Sequence, residues 1–244
     1  MMEARVHSIE TYGTVDGPGI RYVLFMQGCL LRCQFCHNPD TWKMGDGKIM
    51  TVEEIVADVK EYLPFFQSSN GGVTVSGGEP LLHAKFLAEL FKELKKLGVH
   101  TALDSSGGCF SRSPSFIESL DALLSYTDLV LLDLKQIDPA KHKKLTGVSN
   151  EHIFDFAHYL EEKQIPVWVR HVLIPGVTDI DADLHRLGHY IRTLTNVEKI
   201  DVLPYHELGV YKWKELGLEY PLEGVNPPTE KRVKNAEKIL ALQS

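Results

Sequence analysis

Short, almost wholly apolar runs recur along the chain at intervals that leave room for one helix each, and this alternation restricts the fold more than any other feature. The runs are RYVLFM (Arg21–Met26), GVTVS (Gly72–Ser76), HTALD (His100–Asp104), LVLLD (Leu129–Asp133), VWVRHVLI (Val167–Ile174) and KIDVLP (Lys199–Pro204). Runs rich in β-branched residues without a polar alternate read as strands covered on both faces. Between them lie segments of helical period, clearest where Phe86, Leu87, Leu90, Phe91 and Leu94 share one face. Further helices are expected over Val52–Tyr62, Ser115–Ser125, His152–Lys163, Ala182–Leu194 and Thr229–Leu242. Such alternation predicts an α/β fold with a parallel sheet. Six strand–helix units are too few for a closed eight-stranded barrel, which leaves an open or partial barrel or a doubly wound sheet. No linker, repeat or break in composition divides residues 1–244, so one domain is expected.

With 244 residues and 43% hydrophobic content the chain can bury a sizeable core. Its formal net charge of −7 argues against nucleic acid as the main partner. The start, MMEARVHSIETYG, has no apolar core of a leader, and no run of 18 apolar residues follows. A cytoplasmic protein away from membranes is expected. There thiols stay reduced, so clustered cysteines read as metal or redox ligands before disulfides.

In parallel α/β folds chemistry gathers beyond the carboxyl ends of strands. A cysteine loop follows the first run, SGGEP the second, Asp104 the third, Asp133 and Lys135 the fourth, and Pro204-Tyr205-His206 the sixth. The loop GCLLRCQFCHN spaces its thiols as Cys29-x3-Cys33-x2-Cys36. A structural zinc knuckle wants four closed ligands. His7 and His37 are the spare candidates, but His37 adjoins Cys36 and closes a tetrahedron poorly, and Cys109 lies far along the chain as a core or loop residue. Three thiolates suit a [4Fe–4S] cluster that leaves one iron open. Gly77 and Gly78 allow backbone to approach a ligand closely, although SGGEP alone is also a plain tight turn. Asp133 and Lys135 alternate at a strand end, so both reach one mouth; either Asp104 or Asp133 also fits a helix N-cap. Asp16-Gly17-Pro18-Gly19 reads locally as a turn.

The CxxxCxxC loop and VSGGEP resemble the radical S-adenosylmethionine (SAM) superfamily. TVDGPGIRYVLFMQGCLLRCQFCHNPDTW, DLVLLDLKQ and VLPYHELG are similar, over nearly the whole chain, to the activases of glycyl radical enzymes. The resemblance implies a partial (β/α)6 TIM-like barrel of parallel strands. It implies that Cys29, Cys33 and Cys36 hold the cluster, and that SAM chelates the open iron and yields a 5′-deoxyadenosyl radical that takes hydrogen from a partner's glycine. It places SAM against Phe35, Cys36, His37, Asn38, Gly77, Gly78, Glu79, Asp133, Leu134, Lys135, Arg170 and His206. A monovalent cation maps to Asp104, Ser105, the Leu131 carbonyl and Asp133, oxygen donors that suit a hard ion. Asp16, Gly17, Pro18 and Gly19 map to the loop that meets the glycine-bearing segment.

From Asn38 to Gly77 there is no further cysteine, which sets aside activases with extra clusters, and the long C-terminal half sets aside the shorter activators of anaerobic ribonucleotide reductase; the resemblance then implies pyruvate formate-lyase as the partner. A flavodoxin-type electron donor and a monomer are implied as well. A radical SAM enzyme acting on a small molecule is the neighbouring alternative. An electron carrier would saturate its cluster with four ligands, and a zinc scaffold would have no use for SGGEP.

Overall fold

The computed structural model describes residues 2–242, which divide into two compact units. The first takes the chain up to Leu30 and resumes over Thr41–Leu131. It contains strands β1 (Glu3–Gly13), β2 (Arg21–Met26), β3 (Lys48–Thr51), β4 (Gly72–Gly77) and β5 (His100–Ser105), with helices α1 (Val52–Val59), α2 (Leu63–Ser69), α3 (Ala84–Lys96) and α4 (Pro114–Leu124). Its strands are ordered β3-β1-β2-β4-β5. β1 runs antiparallel to β2 and β3. β2, β4 and β5 are parallel, in the register Arg21↔Gly72, Met26↔Gly77 and Gly72↔His100. The five apolar residues of α3 named above are all buried, as their spacing predicts. α1 starts on a capping box: the Thr51 hydroxyl accepts from the Glu54 amide at 3.2 Å while the Glu54 carboxylate accepts from the Thr51 amide at 2.8 Å.

Strand β6 (Leu129–Asp133) carries the chain on from there. The second unit comprises Leu31–Asp40 and Leu132–Ser244. It holds α5 (Pro139–Thr146), α6 (Glu151–Glu162), β7 (Val167–Leu173), α7 (Asp181–Ile191), β8 (Val197–Pro204), α8 (Val210–Glu215) and α9 (Glu230–Leu240). β7 and β8 are parallel, pairing Arg170 with Asp201 and Leu173 with Pro204, and α7 and α9 pack together.

The fold is α/β with mainly parallel strands, and all six expected strands form within a residue or two of the runs read from sequence. β1 and β3 are additions. β1 was not expected because it forms no apolar run: it carries Glu3, Arg5 and Glu10, and only Ala4, Val6 and Gly13 in it are buried. α2, α5 and α8 are likewise additions of six to eight residues, too short to show a period. No helix of the described residues is long and apolar enough to cross a membrane.

Candidate functional site

The first unit positions Cys29 and the SGGEP turn together. Gly28 and Cys29 follow β2 in the loop beyond its end, and their amides donate to the Thr41 and Trp42 carbonyls at 2.7 and 3.4 Å. The turn after β4 lies directly on this segment: the Gly78 amide donates to the Met26 carbonyl at 3.0 Å and the Glu79 amide to the Gly28 carbonyl at 2.8 Å. A Cβ on Gly78 would stand 2.1 Å from the Gly28 oxygen, and one on Gly77, whose φ is +112°, would stand 2.3 Å from the Met26 nitrogen. The glycine requirement read from sequence as room for a ligand is thus met by backbone packed on backbone.

Glu79 is fully buried. Its Oε1 accepts from the Ser105 hydroxyl at 2.5 Å and the Leu81 amide at 3.2 Å; its Oε2 accepts from the Ser106 hydroxyl at 2.5 Å and amide at 3.2 Å. Asp104 is buried at the end of β5, where its Oδ2 accepts from Ser76 Oγ at 2.5 Å. It is a strand residue and caps no helix, and Asp133 likewise ends β6. Ser105 engages Glu79, and Leu131 is buried in β6. Burial pushes the Cys109 thiol up, and the charges of Glu79 and Cys29 add to this. Asp16 to Gly19 lie in the loop between β1 and β2.

The second unit positions Cys33 and Cys36. The amides of Arg32 and Gln34 donate to the Thr146 and Leu145 carbonyls at 2.7 and 2.9 Å, so the cysteine loop satisfies the orphan carbonyls at the end of α5. The Cys36 amide donates to the Cys33 carbonyl at 3.1 Å and closes a turn. Trp213 Nε1 donates to the Cys36 carbonyl at 2.9 Å, and Lys212 Nζ bonds Asn38 Oδ1 at 2.8 Å and Asp40 Oδ2 at 2.9 Å. α8 therefore fastens residues 36–40. The His37 and His206 rings stack at 4.2 Å, and a Cβ on Gly209 would stand 2.6 Å from the His37 Cα. Buried His206 Nδ1 has no hydrogen-bond partner.

Asp133, Lys135 and Arg170 meet as the strand-end alternation predicts for the first two. Lys135 Nζ stands 2.7 Å from Asp133 Oδ2 and Arg170 Nε 3.2 Å from Asp133 Oδ1. Burial favours the neutral acid, but the two cations outweigh it and hold the Asp133 carboxyl below the usual range. Lys135 Nζ also lies 5.3 Å from the centre of the buried Phe35 ring. The Leu134 carbonyl is within 2.8 Å of His171 Nδ1. Burial pushes the Cys33 thiol up to about 12, with Lys135 opposing.

Sequence reasoning missed Ser106, Lys212 and Trp213. No local signal marks them, because each meets its partner across 27 to 177 positions of chain.

A profile of the radical SAM superfamily matches residues 23–188. Over 240 residues the chain is 60% identical to the pyruvate formate-lyase-activating enzyme of Listeria monocytogenes, covering 98% of this chain and 97% of that one. The chain belongs to the pyruvate formate-lyase-activating enzyme family of the radical SAM superfamily. A relative in Staphylococcus epidermidis with the same family name is 56% identical over 241 residues, covering 98% of this chain and 96% of its own. Among solved structures, a domain of pyruvate-formate lyase-activating enzyme from Bacteroides vulgatus superposes with a TM-score of 0.57 at 29% identity, over 70% of this chain and 92% of that one.

The residues present suit the radical SAM cofactors. None of the four cysteines is in a disulfide, and three of them lie on one short loop. Among the described residues no three His, Cys, Asp or Glu side chains converge as ligands of a single ion; a four-iron cube asks something different, one thiolate for each of three irons. His206 Nδ1 is a buried donor or acceptor that no protein group satisfies.

Proposed function

We propose that this radical SAM protein activates pyruvate formate-lyase. When bound, the [4Fe–4S] cluster supplies the electron that cleaves SAM reductively, and the resulting 5′-deoxyadenosyl radical takes hydrogen from a glycine of the partner and leaves a glycyl radical there. The observation that carries the reading is the SGGEP turn packed on Gly28 beside Cys29.

In this reading Cys29, Cys33 and Cys36 hold three irons. Phe35 gives the adenine a flat apolar surface, His37 and Asn38 line its edge, and His206 Nδ1 finds there the partner it lacks in the protein. Gly77, Gly78 and Glu79 receive the methionine end. Glu79 does so with both oxygens already fixed by Ser105 and Ser106, so its orientation is set beforehand. Lys135 turns toward the SAM carboxylate from its pairing with Asp133, with Leu134 and Arg170 behind them. The monovalent cation is assigned to Asp104, Ser105, the Leu131 carbonyl and Asp133. Asp133 shares itself there with Lys135 and Arg170, so the site is weak and exchange of sodium for potassium changes activity modestly; indifference to the exchange removes the cation.

Asp16, Gly17, Pro18 and Gly19 meet the glycine-bearing segment. Residues 1–244 act as one radical SAM domain, a reading supported by a family match that runs through parts of both units. A cytoplasmic monomer reduced by a flavodoxin-type donor completes the proposal. The test is anaerobic incubation of the reconstituted protein with SAM, reductant and pyruvate formate-lyase, read by electron paramagnetic resonance. A glycyl doublet is expected. Release of 5′-deoxyadenosine without that doublet rejects this partner.

A further inference from the structure

The loop between β1 and β2 is tied down from beneath. The Thr74 hydroxyl donates to the Asp16 carbonyl at 2.6 Å and accepts from Arg21 Nε at 2.9 Å. Arg21 Nη1 donates to the Pro18 carbonyl at 3.3 Å, and Nη2 to the Val73 carbonyl at 2.6 Å. At the end of the loop the Ile20 amide donates to Ser69 Oγ at 3.0 Å. Gly17 and Gly19, at φ +126° and +66°, let the loop fold back: a Cβ on Gly19 would stand 2.4 Å from the Ser69 carbonyl oxygen, and one on Gly17 would lie 3.4 Å from Arg21 Nε.

Arg21 is fully buried. Burial lowers its pKa to about 10, with Asp128 and Asp16 opposing, so it stays a cation at neutral pH. A buried charge is costly and a well-packed apolar residue often serves stability better. Of the bonds this guanidinium makes, one holds the Pro18 carbonyl and another orients the hydroxyl that holds Asp16. Register and alternation put Arg21, Thr74, Ser76 and Asp104 on one face of β2, β4 and β5, the face on which Ser76 bonds Asp104. The loop is thus fixed at the amino end of the same polar face whose carboxyl end leads to Gly78 and Glu79.

We infer that Arg21, acting through Thr74, is a positioning residue that sets the 16–19 loop to capture the partner's glycine-bearing segment about 10 Å along β4 from its end at Gly77, three residues at the rise of a parallel strand. The inference rests on the reading that this loop meets the partner. A contact at that distance governs capture of the segment and leaves the reacting atom alone, so loosening the loop raises KM and spares kcat.

The test uses reconstituted holoenzyme and a synthetic peptide of the partner's glycine-bearing segment, with peptide-dependent 5′-deoxyadenosine release followed against peptide concentration. Thr74→Val removes the hydroxyl at nearly constant shape, and Thr74→Ser keeps it. Losing the hydroxyl's bonds is expected to raise KM about tenfold in Thr74→Val with kcat within about twofold. Thr74→Ser retains the wild-type KM, and both variants keep the wild-type iron content and SAM dissociation constant. Valine and serine variants that share the wild-type KM overturn the inference. So does a valine variant that loses kcat, iron and SAM binding together, since that marks a merely structural hydroxyl. A wild type that cleaves SAM yet never responds to the peptide rejects the loop's partner role, and the inference falls with it.

Discussion

Asp133→Asn tests how the charged centre of the second unit is held. Asp133 stands between Lys135 Nζ at 2.7 Å and Arg170 Nε at 3.2 Å, and Lys135 is 9% exposed. Removing the single negative charge leaves two cations facing each other with little water to screen them. Truncating one partner of a buried pair costs about 3–5 kcal/mol. Asparagine still offers one carbonyl oxygen to one of the two donors, so the lower end, about 3 kcal/mol, is expected. For a chain of this length that corresponds to a fall in melting temperature of roughly 6–12 °C. Urea unfolding followed by circular dichroism gives the energy through the shift in midpoint at constant slope. Asp133→Asn combined with Lys135→Met completes a double-mutant cycle. The second change relieves the repulsion created by the first, so the pair costs less than the sum of the singles. A loss under about 1 kcal/mol, or strict additivity, refutes the reasoning.

Cys29→Ser, Cys33→Ser and Cys36→Ser should each abolish iron-dependent SAM cleavage, whereas Cys109→Ser, whose thiol is kept protonated by burial, should retain full iron by colorimetric assay. Asp16→Asn should keep its iron and SAM affinity yet install glycyl radical about tenfold more slowly at sub-saturating partner, by spin counting; parallel loss of SAM affinity would move Asp16 into the cofactor site. The fold should weaken in mild acid through His100, whose pKa is drawn down to about 4 by burial and then by Arg21. The unfolded chain takes up that proton near pH 6.5 and the folded one only near 4, so the contribution is complete above about pH 6.5 and fades as pH falls toward 4. His100→Gln should flatten that limb of the stability profile.

The six expected strands were legible because each is a run of β-branched and apolar residues bounded by turn residues, and β4 and β6 match their runs nearly residue for residue. β1 was not, because Glu3, Arg5 and Glu10 interrupt any apolar run and its outer partner, β3, is only four residues long. α5 escaped for a related reason: its outer face is lysine-rich and it buries only His142, Leu145 and Thr146. Within the site, the cysteine spacing and the double glycine are local and could be read directly. The bonds that orient Glu79 and fasten the loop at Asn38 could not, since Ser105, Ser106 and Lys212 reach them only once strands and helices are stacked.

The segment carrying Cys33 and Cys36 is secured at its start by the carbonyls of α5 and at its end by Trp213 and Lys212, all with protein groups alone. These anchors do not pass through a metal, so the segment has protein contacts of its own to hold its path, unlike a zinc finger, whose folding waits for its ion. A protein whose iron is stripped by oxygen should keep this segment in place and accept a new cluster without refolding. Loss of the cluster is then an interruption that reconstitution alone repairs.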